Sequence, residues 1–285
     1  MFIFSDAPKD EASTAGVEEV RKYIHTVNGF ASVEIIEREE NYGCSKNIIL
    51  GVTRLTYEFG RVIVVEDDIL TSPYFLTYIN EALELYKNDE RVGVVSGFLY
   101  PCYREIEATL PQSFFMYGVG SWGWGTWRRA WQGYDYDAWR LLKKIRSAGR
   151  ENEYNFGLKN KPKSTTLAAQ GLGRVDTWDY QLEASEFIHS RITLYPGRAM
   201  TNNIGCDGTG EHCGPTEYDK TNLKLAEEYE PLKKIPVEID TRIRDVFVQC
   251  FVRDNPSHSL MYLAARKMYL IARKILRTLA KFLRR

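Results

Sequence analysis

The sequence lacks three features that would mark common classes of protein. Its 285 residues carry 38 basic and 38 acidic side chains, so it has no net charge of the kind that nucleic-acid-binding proteins present. Its five cysteines include no C-x-x-C pair, which argues against a zinc site or a disulfide framework and favours a reducing cytoplasm. It contains no recognisable secretion signal, and we predict no membrane span. A chain of this length is large enough for one large α/β domain or two small ones.

Acidic residues are missing from one part of the chain, residues 257–285. This segment holds eight basic residues, which share one face of a predicted helix, and apolar residues occupy the opposite face. Such a helix either docks on an anionic membrane surface or packs on the protein with its charges in solvent. We predict membrane docking. The remaining body, residues 1–256, has 30 basic and 38 acidic residues and is therefore acidic, which argues against nucleic acid as a partner.

Apolar strands alternate with amphipathic helices along most of the chain. This order predicts an α/β fold in which a mostly parallel sheet is flanked by helices. Residues 62–65 are all β-branched, as is typical of a central parallel strand. The uncharged stretch 108–127 is rich in glycine and favours a loop or pocket. We divide the chain into a domain at 1–220, a charged connector at 221–256 and the basic helix at 257–285.

Three consecutive acidic residues follow the predicted strand at 62–65. Glu66, Asp67 and Asp68 would lie beyond the carboxyl end of a strand, which is where open α/β sheets bind their ligands. Carboxylates at this place can hold Mg²⁺ or Mn²⁺, and such a cation can neutralise a diphosphate leaving group. The alternative is a solvated acidic turn at the start of the next helix.

Several motifs together resemble a known family. VIVVEDD at 62–68 resembles the acidic metal motif of GT-A glycosyltransferases, close to the N-acetylglucosaminyltransferase I branch and to bacterial family-2-like sugar transferases. Further stretches that fit the bacterial group are FIFSDAPK at 2–9, NYGCSKN at 41–47, SWGWGTW at 121–127, TWDYQ at 177–181 and NIGCDGTGEHC at 203–213. Family members usually begin with an earlier strand, ending near a Tyr-Asn-Arg element that helps to hold the nucleotide base. We expect that first strand to be missing here.

The resemblance implies a set of site residues. Asp68 would be the direct metal ligand, His212 would add a second ligand, and Asp179 would be the base of an inverting transfer. The implied nucleotide-sugar-binding residues are Asp6, Asn41, Gly43, Lys46, Asn47, Glu66, Asp67, Trp122 and Trp124. Among them, Lys46 is the candidate for the diphosphate, and the tryptophans could stack on a sugar ring.

Structural roles remain open for several of these residues. Asp6 can cap the helix that follows it, residues 41–43 also form a good turn, and His212 can be structural. Asp179 can act as the acidic third residue of a helix that is capped by Asp176. At least one tryptophan among Trp122, Trp124 and Trp127 can belong to the core. For each of these residues the sequence is therefore compatible with both a structural role and a role at the site.

The sequence as a whole predicts a metal-dependent, inverting glycosyltransferase. It would move a sugar from a nucleotide donor, most simply a UDP-sugar, to a saccharide or lipid-linked saccharide in cell-surface polysaccharide or lipopolysaccharide synthesis. The basic helix predicted at 257–285 indicates a cytoplasmic protein at the inner face of the plasma membrane. The alternatives are a catalytically impaired nucleotide-sugar-binding protein at the membrane, or a sugar nucleotidyltransferase, for which the basic glycine-rich phosphate loop is absent.

Overall fold

The computed structural model describes residues 1–156, 163–206 and 218–254. The strands in this part of the chain are β1 (Phe2–Ser5), β2 (Glu34–Glu37), β3 (Arg61–Val64), β4 (Ile69–Thr71), β5 (Val92–Ser96), β6 (Ser113–Met116), β7 (Trp124–Trp127), β8 (Ile192–Pro196) and β9 (Thr201–Asn203). The helices are α1 (Thr14–Ile24), α2 (Gly43–Phe59), α3 (Phe75–Leu85), α4 (Arg128–Trp131), α5 (Ala138–Ser147), α6 (Glu151–Tyr154), α7 (Lys163–Gly171), α8 (Asp179–Ile188), α9 (Tyr218–Thr221) and α10 (Thr241–Asp254). Two 3₁₀ helices cover Glu11–Ser13 and Pro101–Thr109.

The central sheet is mixed, with strand order β3-β7-β5-β8-β6. Only β5 and β8 pair in parallel, whereas the other three neighbouring pairs are antiparallel. The α/β class is therefore confirmed, but the prediction of a mostly parallel sheet is wrong. The reason lies in residues 108–127, which we predicted to be a loop or pocket. A loop is present at 117–123, but residues 113–116 form β6 and residues 124–127 form β7, and both strands are buried.

The β-branched strand lies at an edge of this sheet and not at its centre. Within the described residues β3 pairs only with β7, and Val62, Ile63 and Val64 are half-buried. Strand β1 pairs in parallel with β2 in a separate two-stranded sheet. Helix α2 packs on both sheets. Gly51 faces Phe4 of β1 so closely that a Cβ atom at residue 51 would lie 3.3 Å from the ring, and Val52 packs with Val62 and Val64 of β3.

Both faces of the central sheet are covered by apolar side chains. On β5, Val95 points into the cluster around α3, whereas the preceding Val94 points to the opposite side, as alternation along a strand requires. The first cluster contains Ile79 and Leu83 of α3, and the second contains Trp124, Trp131 and Trp178. The core therefore consists of a sheet between two helical layers.

The segment that we predicted as a connector, residues 221–256, packs on the body as far as the structure describes it. Leu223, Leu232, Ile243 and Phe247 are buried in the two clusters that cover β6 and α3. The predicted basic helix at 257–285 lies outside the described residues. Among the residues that the structure does describe, no helix combines the length and the apolar character needed to cross a membrane.

Candidate functional site

Several of the predicted site residues lie near the amino end of α2. Asp6 follows β1 and the three acidic residues follow β3, and the side chains of Asp6 and Glu66 both contact the first residues of α2. The side chain of Cys44, in the first turn of α2, lies with its Sγ 3.6 Å from Oε2 of Glu66. The ends of β1 and β3 therefore lie next to the start of α2.

Asp6 caps α2 through both carboxylate oxygens. Its Oδ1 accepts hydrogen bonds from the backbone N–H groups of Ala7 (2.9 Å) and Tyr42 (2.8 Å), and its Oδ2 accepts one from Gly43 (2.8 Å). Asp10, and not Asp6, caps the 3₁₀ helix that comes next in the chain. Asp6 therefore has a structural role, because it accepts hydrogen bonds from amide groups at the start of α2 that would otherwise be unpaired.

Two cations lie on the ring of Tyr42. Nζ of Lys46 is 3.7 Å from the ring centroid, and the guanidinium carbon of Arg38 is 4.9 Å from it. Arg38 also donates to Oδ1 of Asn47 at 3.0 Å, and the Asn41 side chain donates to the Ala7 carbonyl at 2.6 Å. The two asparagines thus hold the local structure together. The sequence did not point to Arg38, although this residue directly follows β2.

Gly43 occupies a position that favours glycine. Its φ angle is +71°, a left-handed conformation, and a Cβ atom there would lie 3.6 Å from Oδ2 of Asp176. The loop before α8 therefore approaches the start of α2 at this residue. This contact brings the segment around Asp179 to the same site as the three acidic residues.

The three acidic residues differ in environment. Burial, followed by the negative charges of Asp68, Asp179 and Asp67, raises the pKa of Glu66 to about 7. Burial also raises the pKa of Asp68, and the hydrogen bond from Asn203 opposes that rise. Asp67 is exposed. A positive charge placed among these groups would relieve their mutual repulsion.

Asp179 is the first residue of α8, and its charge reaches Glu66 of the acidic group. Trp178 holds the N-cap position and makes no side-chain capping bond, so the alternative in which Asp176 caps this helix is wrong. The charge of Asp179 acts on both Glu66 and Tyr134, and it contributes to the raised pKa of each. The structure therefore brings the predicted base within electrostatic range of Glu66 in the predicted metal motif, although the two lie more than 100 residues apart in the sequence.

The three tryptophans at 122, 124 and 127 differ in burial. Trp124 is completely buried, with its ring stacked on Trp178 at 5.1 Å and tilted against Trp131 at 6.1 Å. The prediction that Trp124 binds a sugar is therefore wrong, because no ring face is open. Trp127 is also buried and donates its indole N–H to the Leu83 carbonyl. Trp122 is half-buried and packs edge-on against Phe98, so of these three only Trp122 is partly exposed.

The predicted metal ligands are only partly covered by the structure. Asp68 is described, whereas His212 lies outside the described residues. Within those residues, no group of three or more His, Cys, Asp or Glu side chains is arranged to hold a metal ion. The donor type fits a hard cation such as Mg²⁺ or Mn²⁺, because carboxylate oxygens are the ligands that these ions prefer.

No protein-family model matches the chain. A search of curated proteins likewise found no match. The candidate function therefore rests on the residues of the site itself.

Proposed function

We propose that the chain is a GT-A-like, metal-dependent glycosyltransferase that acts on a nucleotide-sugar with inversion. One observation carries the proposal: three segments converge at the start of α2. Glu66 of the acidic turn contacts Cys44, the loop before α8 approaches Gly43 through Asp176, and the charge of Asp179 reaches Glu66. A transfer of this kind needs a site for the diphosphate and a carboxylate base beside it. Both requirements match the types of side chain that meet here.

In this proposal Asp68 holds the divalent cation and Glu66 and Asp67 complete the negative environment around it. When bound, Mn²⁺ or Mg²⁺ would neutralise the charge of the departing diphosphate. A cation that is held by one or two carboxylates and by phosphate oxygens does not require a preformed group of three protein ligands. His212 remains a proposed further ligand, on sequence grounds alone.

The remaining site residues are proposed to act on the acceptor and on the nucleotide-sugar. Asp179 would take the proton from the acceptor hydroxyl as that oxygen attacks the anomeric carbon and the bond to the diphosphate oxygen breaks. Lys46 and Arg38 provide positive charge beside the start of α2, where the nucleotide is proposed to bind. Asn41, Gly43 and Asn47 shape that region, and Trp122 offers the partly exposed ring.

The proposal also covers the acceptor and the cellular location of the protein. Both are inferred from the sequence of residues 257–285. A saccharide on a lipid carrier, met at the inner face of the plasma membrane, is consistent with a basic helix at 257–285. Flotation with anionic vesicles tests this point directly. The full chain should float, and a chain that ends at Asn255 should not; equal flotation of both would contradict docking by the tail.

The central experiment is a nucleotide-release assay on the full chain with Mn²⁺ and UDP-, GDP- or dTDP-sugars. We expect Asp68→Ala to abolish donor turnover and Asp179→Asn to lower kcat by about 10²–10⁴-fold, which is the usual contribution of a positioned base. Glu58→Gln, an exposed position near the end of α2, is the control and should retain full activity. Donor turnover that survives Asp68→Ala would overturn the proposal.

One observation favours a second candidate, a nucleotide-sugar-binding protein without turnover. Strands β1 and β3 both lie under α2, yet within the described residues they do not pair with each other. The site would then lie between two separate sheets and be less rigid than catalysis requires. Calorimetry with UDP and Mn²⁺ that shows binding, together with no detectable release of nucleotide from any donor, would support this candidate.

A further inference from the structure

We propose that Asn203 is a positioning residue that sets the orientation of the Asp68 carboxylate for cation binding. This inference rests on the function proposed above and extends it to a residue of the 203–213 motif to which the sequence assigned no role. Nδ2 of Asn203 donates a hydrogen bond to Oδ2 of Asp68 at 3.0 Å, across 135 positions of sequence. The bond fixes the rotation of the carboxylate and therefore the direction in which Oδ1 faces.

The orientation of the Asn203 amide follows from its other partner. Its Oδ1 accepts the backbone N–H of Gly205 at 2.7 Å. A backbone N–H can only donate, so the amide oxygen must face Gly205 and the NH₂ group must face Asp68. Asn203 is therefore a hydrogen-bond donor to the carboxylate, in the manner of the outer partners that orient metal-binding side chains in other proteins.

Asn203 is itself held firmly by its neighbours. It is 3% exposed, its N–H donates to Oδ1 of Asn222 at 2.7 Å, and its carbonyl accepts from Nδ2 of Asn222 at 2.7 Å. The pairing of β4 with β9 places Asn203 opposite Ile69, the residue after Asp68. Backbone pairing and side-chain bonds thus both determine where the amide lies.

The absence of a side chain at Gly205 leaves room for Oδ2 of Asp68. A Cβ atom at residue 205 would lie 2.4 Å from Oδ2 of Asp68, closer than such atoms can approach. The N–H of Ile204 also donates to the Asp68 backbone carbonyl at 2.9 Å. Glycine at 205 therefore allows the carboxylate to reach Asn203, and any larger residue would displace it.

The chain provides a matched control in the preceding residue. Asn202 is also buried, at 2% exposed, and its side chain donates to the Leu223 carbonyl and accepts from the Leu223 N–H. Replacing either asparagine with alanine removes a buried amide and lowers stability. Only the change at residue 203 removes the bond to Asp68.

The test measures Mn²⁺ affinity of the full chain by electron paramagnetic resonance, in the presence of UDP. We expect Asn203→Ala to raise the Kd for Mn²⁺ by about 10–100-fold, as is usual for loss of an orienting partner. Asn202→Ala should change this Kd by less than about threefold, because it leaves the Asp68 carboxylate in place. The Kd for UDP without metal should remain unchanged in both variants, a result that general loosening of the structure would not give.

Gly205→Ala provides an independent variant that keeps Asn203, and it should weaken Mn²⁺ binding through displacement of Oδ2. Wild-type affinity for Mn²⁺ in both Asn203→Ala and Gly205→Ala would overturn the inference, as would equal losses in Asn203→Ala and Asn202→Ala. If the unmodified chain binds no Mn²⁺ at all, the function proposed above fails instead. The two failures are therefore distinguishable.

Discussion

Replacement of Glu66 by glutamine is expected to stabilise the protein above neutral pH. The pKa of Glu66 is raised from 4.5 to about 7, mainly by burial and then by the charges of Asp68 and Asp179. Between these two values the folded state binds more protons than the unfolded state, so stability falls as the pH rises through this window. Above pH 7 the buried charge imposes its full cost. Glutamine has the same shape without the charge and still offers an acceptor to Cys44.

The size of the effect follows from the shift in pKa. A shift from 4.5 to about 7 corresponds to at most about 3 kcal/mol. Glu66 retains some contact with solvent, so we expect a gain of about 1–2 kcal/mol at pH 8. Near pH 4 the gain should vanish, because Glu66 is then protonated in both the folded and the unfolded states.

Urea unfolding of the wild type and of Glu66→Gln at pH 4, 6 and 8 measures this difference. The comparison must use the difference between the two proteins, because burial also raises the pKa of Glu186 to about 7 and makes the wild type pH-dependent by itself. Asp67→Asn, at an exposed neighbour, is the control and should change the free energy of unfolding by less than about 0.5 kcal/mol. A gain that is equal at pH 4 and pH 8, or a loss at pH 8, would refute the reasoning.

Two further predictions concern the roles of Asp6 and Trp124, and urea unfolding measures both. Asp6→Ala leaves three backbone N–H groups without their acceptor and should cost about 1–2 kcal/mol, whereas Asp10→Ala at an exposed cap should cost less; the reverse order would contradict the capping role. Trp124→Ala should cost about 3–5 kcal/mol because the side chain is fully buried, while Trp122→Ala should cost clearly less; equal costs would contradict the division between core and site.

Several elements could be predicted because their causes are local. Helix α2 ends where Gly60 adopts a left-handed conformation, and the apolar run at 92–95 forms the fully buried strand β5. The acidic turn at 66–68 follows its strand as predicted. Periodicity, glycine and a change from apolar to acidic residues are properties of neighbouring positions, so they are visible without any knowledge of the fold.

Other features depend on partners far away in the sequence. The β-branched composition of β3 is typical of a central strand, but its place at an edge depends on which strands pair with it. Glycines at 118, 120, 123 and 125 indicated a loop, and the first three do lie in the loop between β6 and β7. Gly125 instead lies in the buried strand β7, where close packing requires a small residue. A Cβ atom at Gly125 would lie 2.8 Å from the Ile79 side chain.

The sequence by itself determined the α/β class, the acidic motif and the residues that belong to a candidate site. Only the tertiary structure decided which of them serve the core or the backbone, as with the buried Trp124 and with Asp6 at the start of α2. It also revealed Asn203 beside Asp68. The physical reason is that residue type and spacing limit what a side chain can do, whereas burial and hydrogen-bonding partners arise from contacts between distant parts of the chain.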